Sequence, residues 1–217
     1  MLEVLNRRKK VVLASASPRR AEILRKLGLR FRAVSADVDE QRRAGESPAS
    51  FARRLAVDKA LAARGRGDGD AWYIGADTIV VLGRQVLGKP GSRREAARML
   101  RLLSGRTHRV ITGVAIVDGG TGRALAAADV TVVKFRRLTE SEIERYVRTG
   151  EPMDKAGAYG IQEGAAAFVE RIEGNYLNVV GFPVGLFLRL AAICARRRAG
   201  SRQLARPARR RLPARLR

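Results

Sequence analysis

The residues best suited to chemistry lie in short blocks that combine hydroxyls, cations and carboxylates. In LASASPRRAEIL, residues 13–24, Ser15 and Ser17 precede a proline, and Arg19 and Arg20 follow it at the start of a predicted helix. Cations are unfavourable on the first turn of a helix, because the macrodipole is positive there. Two arginines at this position predict that an anion binds beside them, and hydroxyls and guanidinium groups are typical ligands of phosphate.

A single carboxylate, Asp77, interrupts the otherwise apolar run of residues 72–82. Burying a carboxylate costs several kcal/mol unless a cation or a metal compensates its charge. A functional Asp77 is favoured over a core aspartate that bonds neighbouring amides, because perturbed carboxylates concentrate at active sites. Taken singly, Glu40, Lys59 and Lys89 are typical of solvated side chains. Together with the serines and arginines, they form the set of phosphate and metal ligands that phosphoryl chemistry needs.

Two other patterns lend little support to a different chemistry. GRQVLGK, residues 83–89, matches most of a P-loop, but Pro90 supplies neither the hydroxyl for Mg²⁺ nor the N–H for phosphate. A hairpin turn also explains its first glycine. His108 is the only histidine, so a serine–histidine–aspartate triad or a histidine-rich zinc site has little support, and a structural role is favoured.

The composition indicates a soluble α/β domain with an unevenly distributed charge. The chain has 217 residues, 46% of them hydrophobic, and a formal net charge of +23. Residues 196–217 contain ten arginines and no acid, which permits binding to nucleic acid without requiring it.

The single cysteine, Cys194, excludes a disulfide within the chain and favours a reducing, cytoplasmic location. No membrane segment is predicted, since the uncharged residues 176–188 fall short of the roughly 20 that a span requires.

The elements that must position these residues alternate between strands and helices. The near-continuous apolar run at 72–82 predicts a central strand that is covered on both faces. A long hairpin around residues 119–122 argues against a purely parallel sheet. Residues 196–217 have no periodic apolar face and are predicted to be disordered. Strands are predicted over 10–14, 31–38, 72–82, 107–118, 124–138, 166–172 and 176–180, and helices over 18–28, 47–63, 92–103, 139–148 and from Pro183.

These motifs, in their order and spacing, resemble those of the Maf family of nucleoside triphosphate pyrophosphatases over roughly residues 10–193. The resemblance implies an α/β fold with an elongated mixed β-sheet in two lobes, flanking helices, and the nucleotide in the cleft between the lobes. It also implies one domain over residues 1–195, followed by the arginine-rich tail. The matching blocks are LASASPRR (13–20), VDEQ (38–41), LAVDKA (55–60), IGADTIV (74–80), LGKP (87–90), LSGRTHRVITGVAI (103–116) and DKAGAYGIQ (154–162).

The resemblance further implies cleavage of a nucleoside triphosphate between its α and β phosphates, with a divalent cation, Mg²⁺ or Mn²⁺, held by Glu40 and Asp77. Asp77 would be the catalytic acid or base. A water activated by Asp77 or by the metal would attack phosphorus, while Arg19 and Arg20 stabilise the developing charge. The substrate-binding residues carried over are Ser15, Arg19, Arg20, Lys59, Thr78, Lys89 and Gln162.

The identity of the base follows from Gln162 within this resemblance. Arg19, Thr78 and Gln162 match the branch of the family that acts on dTTP and UTP. A glutamine amide can accept a hydrogen bond from the N3–H of uracil or thymine while it donates to a ring carbonyl. The small residues 156–158 leave room for the methyl group of thymine. Read without the family, Gln162 is equally well explained as a residue that caps a turn.

Two further interpretations stay open. The basic surface and tail also suit a nucleic-acid-binding or cell-division regulatory protein, in which case binding would weaken steeply with salt. Alternatively, the same chemistry would serve a housecleaning enzyme for oxidised or deaminated purine nucleotides. Modified pyrimidine nucleotides are further expected substrates if the chain acts on dTTP and UTP. A homodimer is a further expectation.

Overall fold

The computed structural model describes residues 9–66 and 69–204, with the side chains of 197–204 left aside. The strands are β1 (Lys10–Ala14), β2 (Arg32–Val34), β3 (Ala71–Leu82), β4 (Gln85–Leu87), β5 (Thr107–Asp118), β6 (Ala124–Phe135) and β7 (Val169–Glu173). The α-helices are α1 (Pro18–Lys26), α2 (Pro48–Gly65), α3 (Arg93–Leu103), α4 (Glu140–Arg148), α5 (Tyr176–Val180) and α6 (Val184–Leu204). Three 3₁₀ segments lie between α4 and β7, at Glu151–Asp154, Ala156–Ala158 and Gly164–Phe168.

The strands form one seven-stranded mixed sheet in the order β2-β1-β3-β5-β6-β7, with β4 paired to β3. β1 is parallel to β2 and β3, and all other pairs are antiparallel. β3 lies between β1 and β5, and its residues are buried except for two that are half-buried. The mixed α/β class and the covered central strand are therefore confirmed.

The register of β3 against β5 sets the two faces of the site. Asp77 lies opposite Gly113, and Thr78 lies opposite Thr112. Because side chains alternate along a strand, Asp77 and Thr78 point to opposite faces of the sheet. Asp77 faces α2, and Thr78 faces the side where α1 and α5 pack.

Helix α2 packs very closely against the sheet, because its inner face and the strands beneath it carry small residues. A Cβ atom at Gly75 would overlap the carbonyl group of Ala56, and one at Gly113 would overlap that of Ala52. Close approach of two backbones is one of the conformational reasons for glycine in a strand. The contact fixes the height at which α2 holds its side chains above β3.

Capping residues set the helix starts where the sequence predicts them. Ser47 accepts a hydrogen bond from the amide of Ser50, and Ser92 accepts one from the amide of Glu95. Thr139 and Glu142 form both bonds of a capping box. Each bond satisfies an amide that has no partner inside its helix.

The prediction of a strand over residues 176–180 is wrong, because these residues form helix α5. Its apolar run suggested a strand, but Asn175 caps the segment by accepting from the amide of Leu177. Gly181 ends it with φ 113, a left-handed conformation that suits glycine.

Other predicted boundaries shift in the structure. The strand predicted over 31–38 is limited to β2, and the one over 166–172 begins only after a 3₁₀ segment. β6 ends at Phe135 rather than at residue 138. α6 continues to Leu204, past residue 195, while residues 205–217 of the predicted tail lie outside the described residues. Within residues 9–66 and 69–204, no helix is both long and apolar enough to cross a membrane.

Candidate active site

A cleft of about 570 Å³ opens at the carboxyl ends of the parallel strands β1 and β2. Its walls come from the β1–α1 loop, the middle of β3, residues 154–163 and the end of α5. The structure brings together in this cleft all nine residues that the sequence analysis selected: Ser15, Arg19, Arg20, Glu40, Lys59, Asp77, Thr78, Lys89 and Gln162.

The floor of the cleft carries one ammonium group between two carboxylates. Lys59 Nζ lies 2.6 Å from Asp77 Oδ1 and 2.7 Å from Glu40 Oε1. Lys59 comes from α2, so the tight contact of that helix with the sheet positions this ion pair. The Asp77 side chain is 9% exposed and that of Glu40 is 52% exposed, so the two carboxylates differ mainly in burial.

This difference in burial separates the two carboxylates electrostatically. Burial raises the pKa of the Asp77 carboxyl, against the lowering effect of the charges of Lys59 and Arg20 and of the Lys59 hydrogen bond. Partial burial of Glu40 also opposes its ionisation, but the Lys59 hydrogen bond and the charges of Lys59, Lys89 and Arg20 keep the pKa of its carboxyl below the ordinary value. Asp77 is therefore the better proton acceptor, and Glu40 the more stable anion.

Arg20 directs four of its five N–H donors at protein oxygens. Nε donates to the carbonyl of Gly181 at 2.9 Å, and Nη1 donates to Ser15 Oγ at 3.2 Å and to the carbonyl of Ala76 at 2.9 Å. Nη2 donates to Thr78 Oγ1 at 3.0 Å. Arg20 thus ties α1, β3 and the end of α5 together around the cleft.

Arg19 and Lys89 make fewer polar contacts within the protein than Arg20 does. The Arg19 side chain is 23% exposed, and Asp154 Oδ2 lies 3.8 Å from its Nη2. Lys89 follows β4 and is exposed at the cleft. Gln162 is also exposed, in a turn between the second and third 3₁₀ segments. These side chains are accessible to a ligand.

One lysine of the cleft was missed from the sequence. Lys155 Nζ donates to the carbonyl of Glu151 at 2.7 Å and to Asp154 Oδ1 at 2.9 Å, and it lies 3.2 Å from Glu163 Oε2. Its side chain is only 7% exposed. The residue stands inside the block DKAGAYGIQ, and its position in a turn-rich segment gave no periodic signal that separates it from a surface lysine.

Neither of the two patterns set aside in the sequence forms the site that it would imply. His108 is 2% exposed, packs edge-on against Phe135 and Tyr159, and has Nε2 2.7 Å from the Tyr159 hydroxyl. Burial lowers its pKa to about 4, so the ring is neutral near pH 7. Gly83 forms the turn between β3 and β4 with φ 59. The structure therefore gives His108 a place in the core and the glycine a place in a hairpin.

The carboxylates of the cleft could bind a metal ion together with the phosphates of a substrate, but they are too few to hold one without it. Among the residues that the structure describes, no group of three or more histidine, cysteine, aspartate or glutamate side chains could hold a metal ion. Glu40 and Asp77 present carboxylate oxygens on either side of Lys59. Mg²⁺ is commonly bound by one or two carboxylates together with substrate phosphates. The residues present fit such a cation.

Comparison with known proteins shows the family to which this chain belongs. The family model described as Maf-like protein matches residues 10–193. A dTTP/UTP pyrophosphatase of Geobacter sulfurreducens is 53% identical over 175 residues, which cover 81% of this chain and 91% of that protein. A dTTP/UTP pyrophosphatase of Pelotomaculum thermopropionicum is 53% identical over 176 residues, covering 81% and 92%. One of Acetivibrio thermocellus is 48% identical over 182 residues, covering 81% and 90%. With the match running from β1 into α6, the chain belongs to the Maf family.

Proposed function

We propose that this chain hydrolyses dTTP and UTP to the nucleoside monophosphate and pyrophosphate. The observation that carries the proposal is the buried Asp77 carboxylate, held by Lys59 in a cleft that also contains Arg19, Arg20 and Lys89. A proton acceptor among cations suits attack of water on a polyphosphate. The relatives are named as dTTP/UTP pyrophosphatases, which supports the same reaction.

The β1–α1 loop supplies donors for the phosphate groups. Ser15 Oγ accepts hydrogen bonds from the amide of Ser17 at 3.1 Å and from Arg20 at 3.2 Å. Both lone pairs are then used, so its O–H is left to donate, and phosphate oxygens are acceptors. The amides at the start of α1 and the guanidinium of the partly buried Arg19 side chain add positive potential at the same place.

Asp77 acts as the general base in this proposal. Its raised pKa improves its ability to take a proton from water, and the Lys59 hydrogen bond and the charges of Lys59 and Arg20 favour its ionised form. The water oxygen bonds to the α-phosphorus, the bond from that phosphorus to the bridging oxygen breaks, and pyrophosphate leaves. Lys59 favours the ionised form of Asp77, and the cleft cations stabilise charge on the phosphate oxygens.

Glu40 and Asp77 would hold a divalent cation, Mg²⁺ or Mn²⁺, together with the phosphates. When bound, such a cation neutralises phosphate charge and polarises the phosphoryl group. Glu40 suits this task, because its depressed pKa keeps it anionic over the working pH range.

The base would lie beside Gln162 and the 3₁₀ segment Ala156–Ala158. Gln162 is exposed in the cleft, and Ala156 also lines it. A primary amide matches the ring edge of uracil and thymine, and an alanine leaves space for the C5 methyl group. We therefore expect dTTP and UTP to be preferred over CTP and over purine nucleotides.

A panel of nucleoside triphosphates with separate detection of pyrophosphate and orthophosphate tests the proposal. Pyrophosphate should be released fastest from dTTP and UTP in the presence of Mg²⁺ or Mn²⁺. Orthophosphate as the first product, or equal rates for all bases, would contradict it. Homodimerisation, nucleic-acid binding through residues 196–217, a cytoplasmic location and action on modified pyrimidine nucleotides remain predictions.

A further inference from the structure

We infer that the buried hydroxyl of Thr112 fixes the hydroxyl of Thr78 so that it can only accept a hydrogen bond from a ligand in the cleft. Thr112 is then a positioning residue for base recognition, and the group that Thr78 reads is the ring N3–H of uracil or thymine. The inference rests on the proposed function, because it concerns how the same cleft separates pyrimidine bases.

The Thr112 hydroxyl has two neighbouring oxygen atoms and one hydrogen to donate. Its Oγ1 lies 2.9 Å from the carbonyl oxygen of Asn178 and 3.0 Å from Thr78 Oγ1, and the residue is fully buried. A carbonyl oxygen has no hydrogen to give. At this distance two facing lone pairs would repel, so the Thr112 hydrogen must lie on the Asn178 carbonyl.

The direction of the bond between Thr112 and Thr78 determines where the Thr78 hydroxyl hydrogen lies. Since the Thr112 hydrogen is already used, the contact between the two hydroxyls is a bond only if Thr78 donates to Thr112. Arg20 Nη2 donates to Thr78 Oγ1 at 3.0 Å and has no acceptor capacity. Thr78 has therefore given its hydrogen and used one lone pair, which leaves one lone pair at the edge of the cleft.

The carbonyl that starts this chain of bonds is held firmly. The Asn178 side-chain amide donates to the carbonyl of Val110 and to Thr131 Oγ1, both at 2.9 Å. A flipped amide would place Oδ1 against Val110 O and against the Thr131 hydroxyl, which donates to the carbonyl of Asn175. Asn178 is fully buried, so α5 cannot turn its carbonyl away without losing these bonds.

The surroundings of Thr78 suit an aromatic ring. Val80 and Val110 are paired across β3 and β5, two residues along from Thr78 and Thr112, so they lie on the same face of the sheet. Both line the cleft, as does Val179 of α5. An acceptor at the edge of an apolar wall pairs with N3–H of uracil or thymine, whereas N3 of cytosine is itself an acceptor. The amide donors of Gln162 then remain for a ring carbonyl, and Thr78 replaces Gln162 as the expected acceptor of N3–H.

The test compares Thr112→Val, which has the same shape without the hydroxyl, with Thr112→Ser, which keeps it. The readouts are the UTP-to-CTP ratios of kcat/KM and of the reciprocal Kd. In Thr112→Val the Thr78 hydrogen is freed to donate to cytosine N3, so both ratios should fall about 10- to 100-fold. Thr112→Ser should keep the ratios of the unaltered chain. An unchanged ratio in a Thr112→Val protein with native-like melting, or an equal fall in Thr112→Ser, would overturn the inference.

Modified substrates give a second test that needs no variant. The unaltered chain should reject UTP methylated at N3 and accept UTP methylated at C5, which carries the same methyl group at a different ring position. Equal binding of UTP and its N3-methyl derivative would overturn the inference even if Thr112→Val does not fold. If UTP binds in preference to CTP but yields no pyrophosphate, the proposed function fails, and the Kd ratios still decide the role of Thr112.

Discussion

At the scale of single residues, the site depends on how one ammonium group is shared. Lys59 bonds both Asp77 and Glu40, yet the pKa values of the two carboxyls shift in opposite directions. Burial raises the pKa of Asp77, whereas the Lys59 hydrogen bond and the neighbouring cations outweigh the weaker burial of Glu40 and lower its pKa. A carboxylate pair separated in this way divides the tasks of base and anion between its members. By the same reasoning, the charge of Lys59 favours the ionised form of the buried Asp77 carboxyl.

Lys59→Met should therefore move the acid limb of the kcat/KM profile to higher pH. Lys59 lowers the pKa of Asp77 against the effect of burial, so the loss of this adjacent opposite charge raises that pKa further. A base must be deprotonated, so activity is lost as pH falls through the raised pKa. Lys26→Met, at an exposed lysine paired with Glu22, is the matched control. An acid limb that does not move would show that Asp77 is not the titrating base.

The identities of the site residues could be predicted from the sequence, but their bonding could not. The motifs place nine side chains that do share one cleft. The sequence analysis aims Arg19 and Arg20 alike at phosphate, whereas most donors of Arg20 are directed at Ser15, Thr78 and two backbone carbonyls. Three of those four acceptors lie 56 or more residues away in sequence, and no local pattern encodes which of two adjacent arginines will reach them.

At the scale of elements, the distance between α2 and the sheet decides whether Lys59 reaches Asp77. Gly113→Ala should destabilise the chain by about 1–3 kcal/mol. A Cβ at this position meets the Ala52 backbone, and neither β5 nor α2 can move away without losing packing contacts. Activity of the folded fraction should fall with it as α2 moves outward. Urea unfolding gives the free energy, with Gly65→Ala as control.

Gly65 lies at the end of the same helix, and a Cβ there would meet no atom within 4 Å. Its replacement by alanine should be neutral or slightly stabilising. Equal stability of Gly113→Ala and the unaltered chain would mean that α2 is free to adjust its height above the sheet.

Elements with local signals were predictable, and those fixed by distant bonds were not. Ser47, Ser92 and Thr139 mark helix starts through bonds within three residues. Helix α5 was predicted as a strand because its apolar run resembles one. What holds α5 in place includes the bonds of Asn178 to Val110 and Thr131, which lie 68 and 47 residues away in sequence.

At the scale of the whole molecule, the buried His108 links stability to pH. Burial holds its pKa at about 4, below the ordinary 6.5, so the unfolded chain binds more protons between these values. The free energy of unfolding should therefore fall as pH decreases from about 6.5 to about 4, by up to about 3 kcal/mol. Unfolding in urea at several pH values measures this slope. In His108→Gln, whose side chain does not titrate, the free energy of unfolding should depend less steeply on pH. Equal slopes in the two proteins would contradict the link between stability and the lowered pKa of His108.

The central claim is that Asp77 drives release of pyrophosphate from a pyrimidine nucleoside triphosphate. The most direct measurement is phosphorus NMR of UTP incubated with Mg²⁺ and either the unaltered chain or Asp77→Asn, with melting curves showing that both are folded. The unaltered chain should convert UTP to UMP and pyrophosphate, and Asp77→Asn should be slower by at least about 100-fold, the usual contribution of a general base. UDP and orthophosphate as products, or an Asp77→Asn protein with near-normal turnover, would contradict the account.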